Sequence, residues 1–125
     1  MIEVHRFDPG RLQQIRVRGS ELVTWTQAAI NQPECAAAFE EFRPGEPHDY
    51  YVFWYDELHY ALSGEAECTY RLPPTYEEEH TLVVSAGDMY LLPVGLHHKW
   101  RVVSDEPYRL LWVTMPRPKW FDALP

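Results

Sequence analysis

Cysteine is nearly absent: Cys35 and Cys68 are the only two among 125 residues, and they form no CxxC pair and no zinc spacing. A disulfide framework and a thiolate zinc site are both excluded as the organising principle, and a reducing, cytoplasmic setting is expected. No apolar run approaches the ~20 residues that a membrane helix needs. Positive charge is also scarce, with 11 Lys and Arg against 19 Asp and Glu and a net charge of -8. That balance argues against nucleic acid, whose phosphates call for Lys and Arg clusters, and against anionic membrane surfaces. The start, Met1-Ile2-Glu3-Val4-His5, turns polar too early for a secretory signal. A helical apolar stripe lasting three turns is missing throughout, as are internal repeats and low-complexity tracts.

What is present is strand-forming material with regular punctuation. Hydrophobic residues make up 46% and aromatic residues 14%, enough for a core in a chain that has the length of one domain, residues 1–125. Short runs rich in Tyr, Val, Trp and Leu cover 50–54, 58–62, 65–72, 81–84, 89–92, 99–103 and 109–115. Ser63-Gly64, Pro73-Pro74, Ala86-Gly87-Asp88, Pro93-Val94-Gly95 and Ser104 to Pro107 separate them. The segment Cys35 to Phe42 is Ala-rich, and propensity alone favours helix there. Pro33 and Pro44-Gly45 box it to the length of a strand, so a strand is expected. Leu22 to Ile30 reads as another strand, and residues 11–18 are ambiguous. Many short strands of this kind define an all-β sandwich, jelly roll or barrel. The run Thr75 to His80 reads as a solvated acidic loop.

The chemistry concentrates around Trp54 to Ala66. Side chains alternate along a strand, so Glu57, His59 and Ala61 share one face while Tyr60 and Leu62 take the other. A carboxylate and an imidazole thus point together into apolar surroundings, where burying them unpaired is unfavourable. They must pair, line a cavity or bind a metal. A borderline or hard divalent metal accepts this donor type and keeps open positions for a substrate.

A second informative stretch, Gly87 to His98, resembles the second cupin motif, G-x5-P-x-G-x2-H-x3-N. Gly87, Pro93, Gly95 and His98 are in register, and Val102 stands where the motif has Asn. The first cupin motif, G-x5-H-x-H-x3,4-E-x6-G, is matched at its end by Glu57 and Gly64, while Tyr51 and Phe53 stand at its two histidine positions. The likeness covers roughly residues 35–116. Tyr55 to Leu58, Leu92 to Gly95 and Leu111 to Pro116 further resemble the small EutQ-like cupins, which also lack the HxH pair. Glu57, Tyr90 and His98 stand at positions comparable to the metal-holding Glu, Tyr and His of ectoine synthase, although ectoine synthesis itself is not expected. The resemblance implies a double-stranded β-helix, the cupin jelly-roll barrel, with the N-terminal strands and C-terminal tail packed on it.

On this reading Glu57, His59 and His98 are the metal-ligand candidates, for Fe, Zn, Mn or Ni, with the metal-free alternative open. Tyr51, His59 and Tyr90 are the candidate proton-moving groups. Phe53 and Trp100 are candidate pocket walls; His48 and His97 are expected outside the site. The expected function is metal-assisted lyase, isomerase or cyclase chemistry on a small organic substrate. An iron-dependent oxygenase and a metal-free binding or accessory cupin are the alternatives. A homodimer is expected, with Leu22 to Ile30 and Trp112 to Phe121 as spare apolar surface, the latter docking on the domain or on a second copy.

Overall fold

The computed structural model describes residues 2–16, 23–51 and 56–117; of Arg16, Val23, Tyr50 and Tyr51 only the backbone is described. Among the described residues ten strands run in the order β1 (Gln13–Arg16), β2 (Val23–Gln32), β3 (Cys35–Phe42), β4 (Asp49–Tyr51), β5 (Glu57–Ser63), β6 (Glu65–Arg71), β7 (Glu79–Ser85), β8 (Met89–Leu92), β9 (His97–Val102) and β10 (Tyr108–Thr114). A single 3₁₀ turn, Pro9–Arg11, precedes them, capped by the Asp8 side chain on the Gly10 N–H. Among the described residues there is no α-helix, and none long and apolar enough to cross a membrane.

The strands form two sheets: six strands in the order β1-β2-β3-β10-β5-β8, and four in the order β4-β9-β6-β7. Every pairing is antiparallel. This is the jelly-roll arrangement, with the inner faces of both sheets enclosing one core. The Ala-rich segment is a strand over its whole expected length, since small side chains let the sheets approach: Ala36 and Ala38 are buried beneath Trp112 and its neighbours.

Gly64 makes a sharper turn than a hairpin would need. β5 pairs with β10 and β8, whereas β6 pairs with β7 and β9, so the chain changes sheets at this residue. Its φ of 78° and the Pro107 carbonyl oxygen, 2.4 Å from where a Cβ would stand, leave room for glycine alone. The return crossing, β7 to β8, is pinned by Asp88, whose Oδ2 accepts the Ser85 N–H at 2.8 Å.

Alternation places the chemistry. Glu57, His59 and Ala61 are buried on the inner face of β5, and Leu58, Tyr60 and Leu62 lie outside. The two runs read as spare apolar surface turn part of their length into the core. Trp112, Thr24 and Thr26 are inward and almost fully buried, because alternation turns only every second residue outward. At the tail, Arg117 donates its N–H to Pro33 O and a guanidinium N–H to Asn31 Oδ1; the Trp120 and Phe121 end of that run lies outside the described residues. The acidic loop is exposed but not unattached: the Tyr76 hydroxyl donates to Gly95 O at 2.7 Å and Arg71 meets Glu79 at 3.0 Å.

Candidate active site

Four side chains on three strands form one hydrogen-bonded chain in the barrel interior. Glu57 Oε1 lies 2.8 Å from His59 Nε2, His59 Nδ1 lies 2.9 Å from the Tyr90 hydroxyl, and that hydroxyl lies 2.7 Å from the Tyr108 hydroxyl. The ladder explains the alignment: Tyr90 stands directly opposite His59, and Trp112 opposite it on the other side. The polarity follows from the carboxylate, which only accepts. His59 Nε2–H therefore donates to Glu57, His59 Nδ1 accepts from the Tyr90 O–H, and Tyr108 donates to Tyr90.

Trp100 caps this assembly. Its indole is stacked within 18° of the His59 ring and 17° of the Tyr108 ring. Its Nε1–H donates to His98 Nδ1 at 2.6 Å. Burial, and then the nearby His59 and His97, hold His98 well below the usual imidazole range, so the ring is neutral. Because Nδ1 accepts, the proton of that neutral ring sits on Nε2. Burial, and then the Tyr108 phenol, push the Tyr90 hydroxyl far above its ordinary range, and burial raises Tyr108 as well.

A cavity of about 240 Å³ adjoins the network, lined by Tyr90 and Trp100 together with Tyr70, Leu92, Pro93 and Leu96 among others. Its wall is chiefly apolar and aromatic, as small-molecule sites are. Cys68 also borders it, its thiol pushed up to about 12 by burial and so a poor nucleophile.

The expected metal set does not fit this arrangement. Among the described residues no three His, Cys, Asp or Glu side chains are placed to hold an ion. The lone-pair nitrogen of His59 accepts from Tyr90, and that of His98 accepts from Trp100. Glu57 and His98 lie on opposite sheets, and Glu57 is bound to His59 instead. Of the other candidates, the Tyr51 side chain and Phe53 lie outside the described residues. His48 is buried against Phe42, and His97 pairs with Asp49 at 2.7 Å, half-buried. Tyr108 is the member that the sequence reading passes over, although its place in the alternation with Leu110, Trp112 and Thr114 would have put it inward.

A two-sheet jelly roll with its polar side chains on the inner faces is the architecture of a small cupin barrel. Residues 39–114 match the family described as Cupin domain, and the chain belongs to that family. It is similar to the putative ethanolamine utilization protein EutQ of Salmonella typhimurium, at 22% identity and a TM-score of 0.64, covering 89% of this chain and 85% of that one. It is similar in fold to the Cnp3 cupin domain of Schizosaccharomyces pombe, at 15% identity and a TM-score of 0.64, over 80% of this chain and 66% of that one. The oxalate decarboxylase of Lactobacillus farciminis, in a formate complex, matches at 20% identity and a TM-score of 0.64, over 95% of this chain but 37% of the other. No curated protein matches the chain significantly.

Proposed function

We propose that this small cupin takes a small, largely apolar or aromatic organic molecule into the cavity beside Trp100 and transfers a proton there, in lyase or isomerase chemistry. The observation that carries the reading is the unbroken chain from Glu57 through His59 to Tyr90, which ends at the cavity wall. In the forward step an acidic hydrogen of the substrate passes to the Tyr90 oxygen while the Tyr90 proton moves to His59 Nδ1. The imidazolium so formed lies 2.8 Å from the Glu57 carboxylate, which compensates its charge. Returning the proton to another atom of the substrate completes an isomerisation. Tyr108 holds the phenol of Tyr90 in line, and Trp100 fixes the plane of His59.

The test begins with ligand discovery by thermal shift over neutral ketones, enols and aromatic acids. Hits are then incubated in deuterium oxide, and deuterium uptake is followed by NMR. The wild type should exchange a substrate hydrogen; Tyr90→Phe and Glu57→Gln should retain binding and lose at least a hundredfold in exchange. Binding without exchange in the wild type would favour the accessory, non-enzymatic alternative.

The expected homodimer is part of the same proposal. On the outer face of β10, β5 and β8, Leu111, Tyr60 and Met89 form one cross-strand row and Val113, Leu58 and Leu91 another. Met89 is 65% and Leu91 56% exposed, and this apolar sheet face suits a second copy. Sedimentation at micromolar concentration tests it: Leu91→Glu should convert a dimer to monomer, and a monomeric wild type would contradict it.

A further inference from the structure

The cavity beside Trp100 has a second phenol in its wall that the relay does not use. Tyr70 lines it from β6, in the four-stranded sheet, and Tyr90 lines it from β8, in the six-stranded sheet. Both are half-buried and packed against the core. His80 stands opposite Tyr70 in the β6–β7 ladder and stacks on its ring at 5.1 Å and 23°, which fixes the plane of the phenol. The hydroxyls of Tyr90 and Tyr108 belong to the relay, and that of Tyr76 donates to Gly95 O. The Tyr70 hydroxyl makes no hydrogen bond among the described residues.

The wall selects the ligand. Among the described residues no charged side chain lines this cavity: besides the two phenols and Trp100 it is leucine, proline and the Cys68 thiol, which burial keeps protonated. A carboxylate or an ammonium would lose its water there and gain no counter-charge. An uncharged apolar body suits the wall, and an oxygen on that body needs a donor. Tyr90 gives its proton to His59, so toward a ligand its oxygen only accepts. Of the groups left, the Tyr70 phenol is a stronger donor than the Cys68 thiol. Resting on the proton-relay reading of the same cavity, we propose that its substrate is an uncharged ketone or aldehyde with a hydrogen on the carbon beside the carbonyl, and that Tyr70 holds the carbonyl oxygen. The two phenols then have different roles. The C–H bond beside the carbonyl breaks, its proton joins the Tyr90 oxygen, and the Tyr90 proton moves to His59 Nδ1. The electron pair of that bond becomes the C=C bond of an enolate, whose negative charge falls on the oxygen bonded to Tyr70. A hydrogen bond to an oxygen that gains charge strengthens during the step, so it speeds the reaction as well as binding the ligand. The reverse transfer, to the same carbon or to one conjugated with it, restores the carbonyl, Tyr90 and His59.

Cyclohexanone, methylenecyclohexane and cyclohexanecarboxylate share a ring and differ in the group presented to Tyr70. Each is titrated into nitrogen-15-labelled protein and followed by the amide signals of β6 and β8. Cyclohexanone should bind about tenfold more tightly than methylenecyclohexane, the worth of one hydrogen bond, and the carboxylate should not bind. Tyr70→Phe should keep the wild-type melting temperature and bind ketone and hydrocarbon equally. In deuterium oxide the same variant should lose about a hundredfold in exchange of the hydrogens beside the ketone, chiefly in kcat. A ketone that fails to bind, a ketone preference that survives in Tyr70→Phe, or a carboxylate that binds as tightly would overturn the inference. Exchange unchanged in Tyr70→Phe would overturn it and leave the relay standing. A ketone preference that depends on Tyr70, in a wild type that exchanges nothing, would uphold Tyr70 as the holder of the carbonyl and refute the relay instead.

Discussion

Replacing Glu40 by Gln should stabilise the protein at neutral and alkaline pH, an unusual outcome for a core substitution. The Glu40 carboxyl moves from its ordinary 4.5 to about 8 in the fold, chiefly through burial. A raised value means that the folded state holds the proton more tightly than the unfolded chain. The associated stability is complete below pH 4.5 and declines as pH rises toward 8, then levels off. Each pH unit in that window is worth ~1.4 kcal/mol, so the fold loses roughly 3 kcal/mol by pH 7 and roughly 5 by pH 9. Against a typical total of ~5–15 kcal/mol, that loss is a large fraction of what holds a domain of this size together. Gln carries no proton to lose. Denaturant titrations at pH 5 and pH 9 provide the assay. The two proteins should agree within ~1 kcal/mol at pH 5, and the Gln variant should be more stable by roughly 3–5 kcal/mol at pH 9. Parallel pH dependence in both would refute the reasoning, because it would place Glu40 in contact with solvent or with a cation. Glu40 thus weakens the fold in the range where most proteins work.

Two further outcomes follow from packing. Gly64→Ala forces a side chain into left-handed backbone against the Pro107 carbonyl, and thermal denaturation should show a loss of ~2–4 kcal/mol; a loss under 1 would mean that this sheet crossing is slack. With a thiol reagent at pH 8, the half-exposed Cys35 should label in minutes, whereas the buried Cys68 should label only in denaturant; equal native rates would contradict its burial.

Most of the barrel was legible because alternation and punctuation are local. The Ala-rich strand was legible from the prolines beside it, and the inward face of β5 from period two alone. The sheet change at Gly64 was not, since a tight turn between two strands reads the same whether they pair or part. The site was legible as far as its residue types. Its wiring was not: the group that binds His59 Nδ1 comes from Tyr90, 31 residues away, and Tyr108 is 18 residues further. That tertiary contact decides whether an imidazole nitrogen is offered to a metal or to a phenol. Glu40 was hidden for a different reason. It sits beside Glu41, and a pair of adjacent glutamates reads as surface; only the inward parity of Ala36, Ala38 and Phe42 marks it as the one that faces the core, while Glu41, buried as well, pairs with Arg43 and Arg109 on the other face.

The state of the two buried histidines tests the central claim most directly. Nitrogen-15 imidazole NMR reports which ring nitrogen carries the proton, and the same sample can be titrated with zinc. His98 should be neutral at pH 7 and both rings should carry a proton on Nε2, with Nδ1 of His59 hydrogen-bonded to Tyr90 and Nδ1 of His98 to Trp100, and zinc should leave their signals unmoved. An Nδ1-protonated tautomer, or a zinc-induced shift of both rings at one equivalent, would contradict the relay and restore Glu57, His59 and His98 as a metal site.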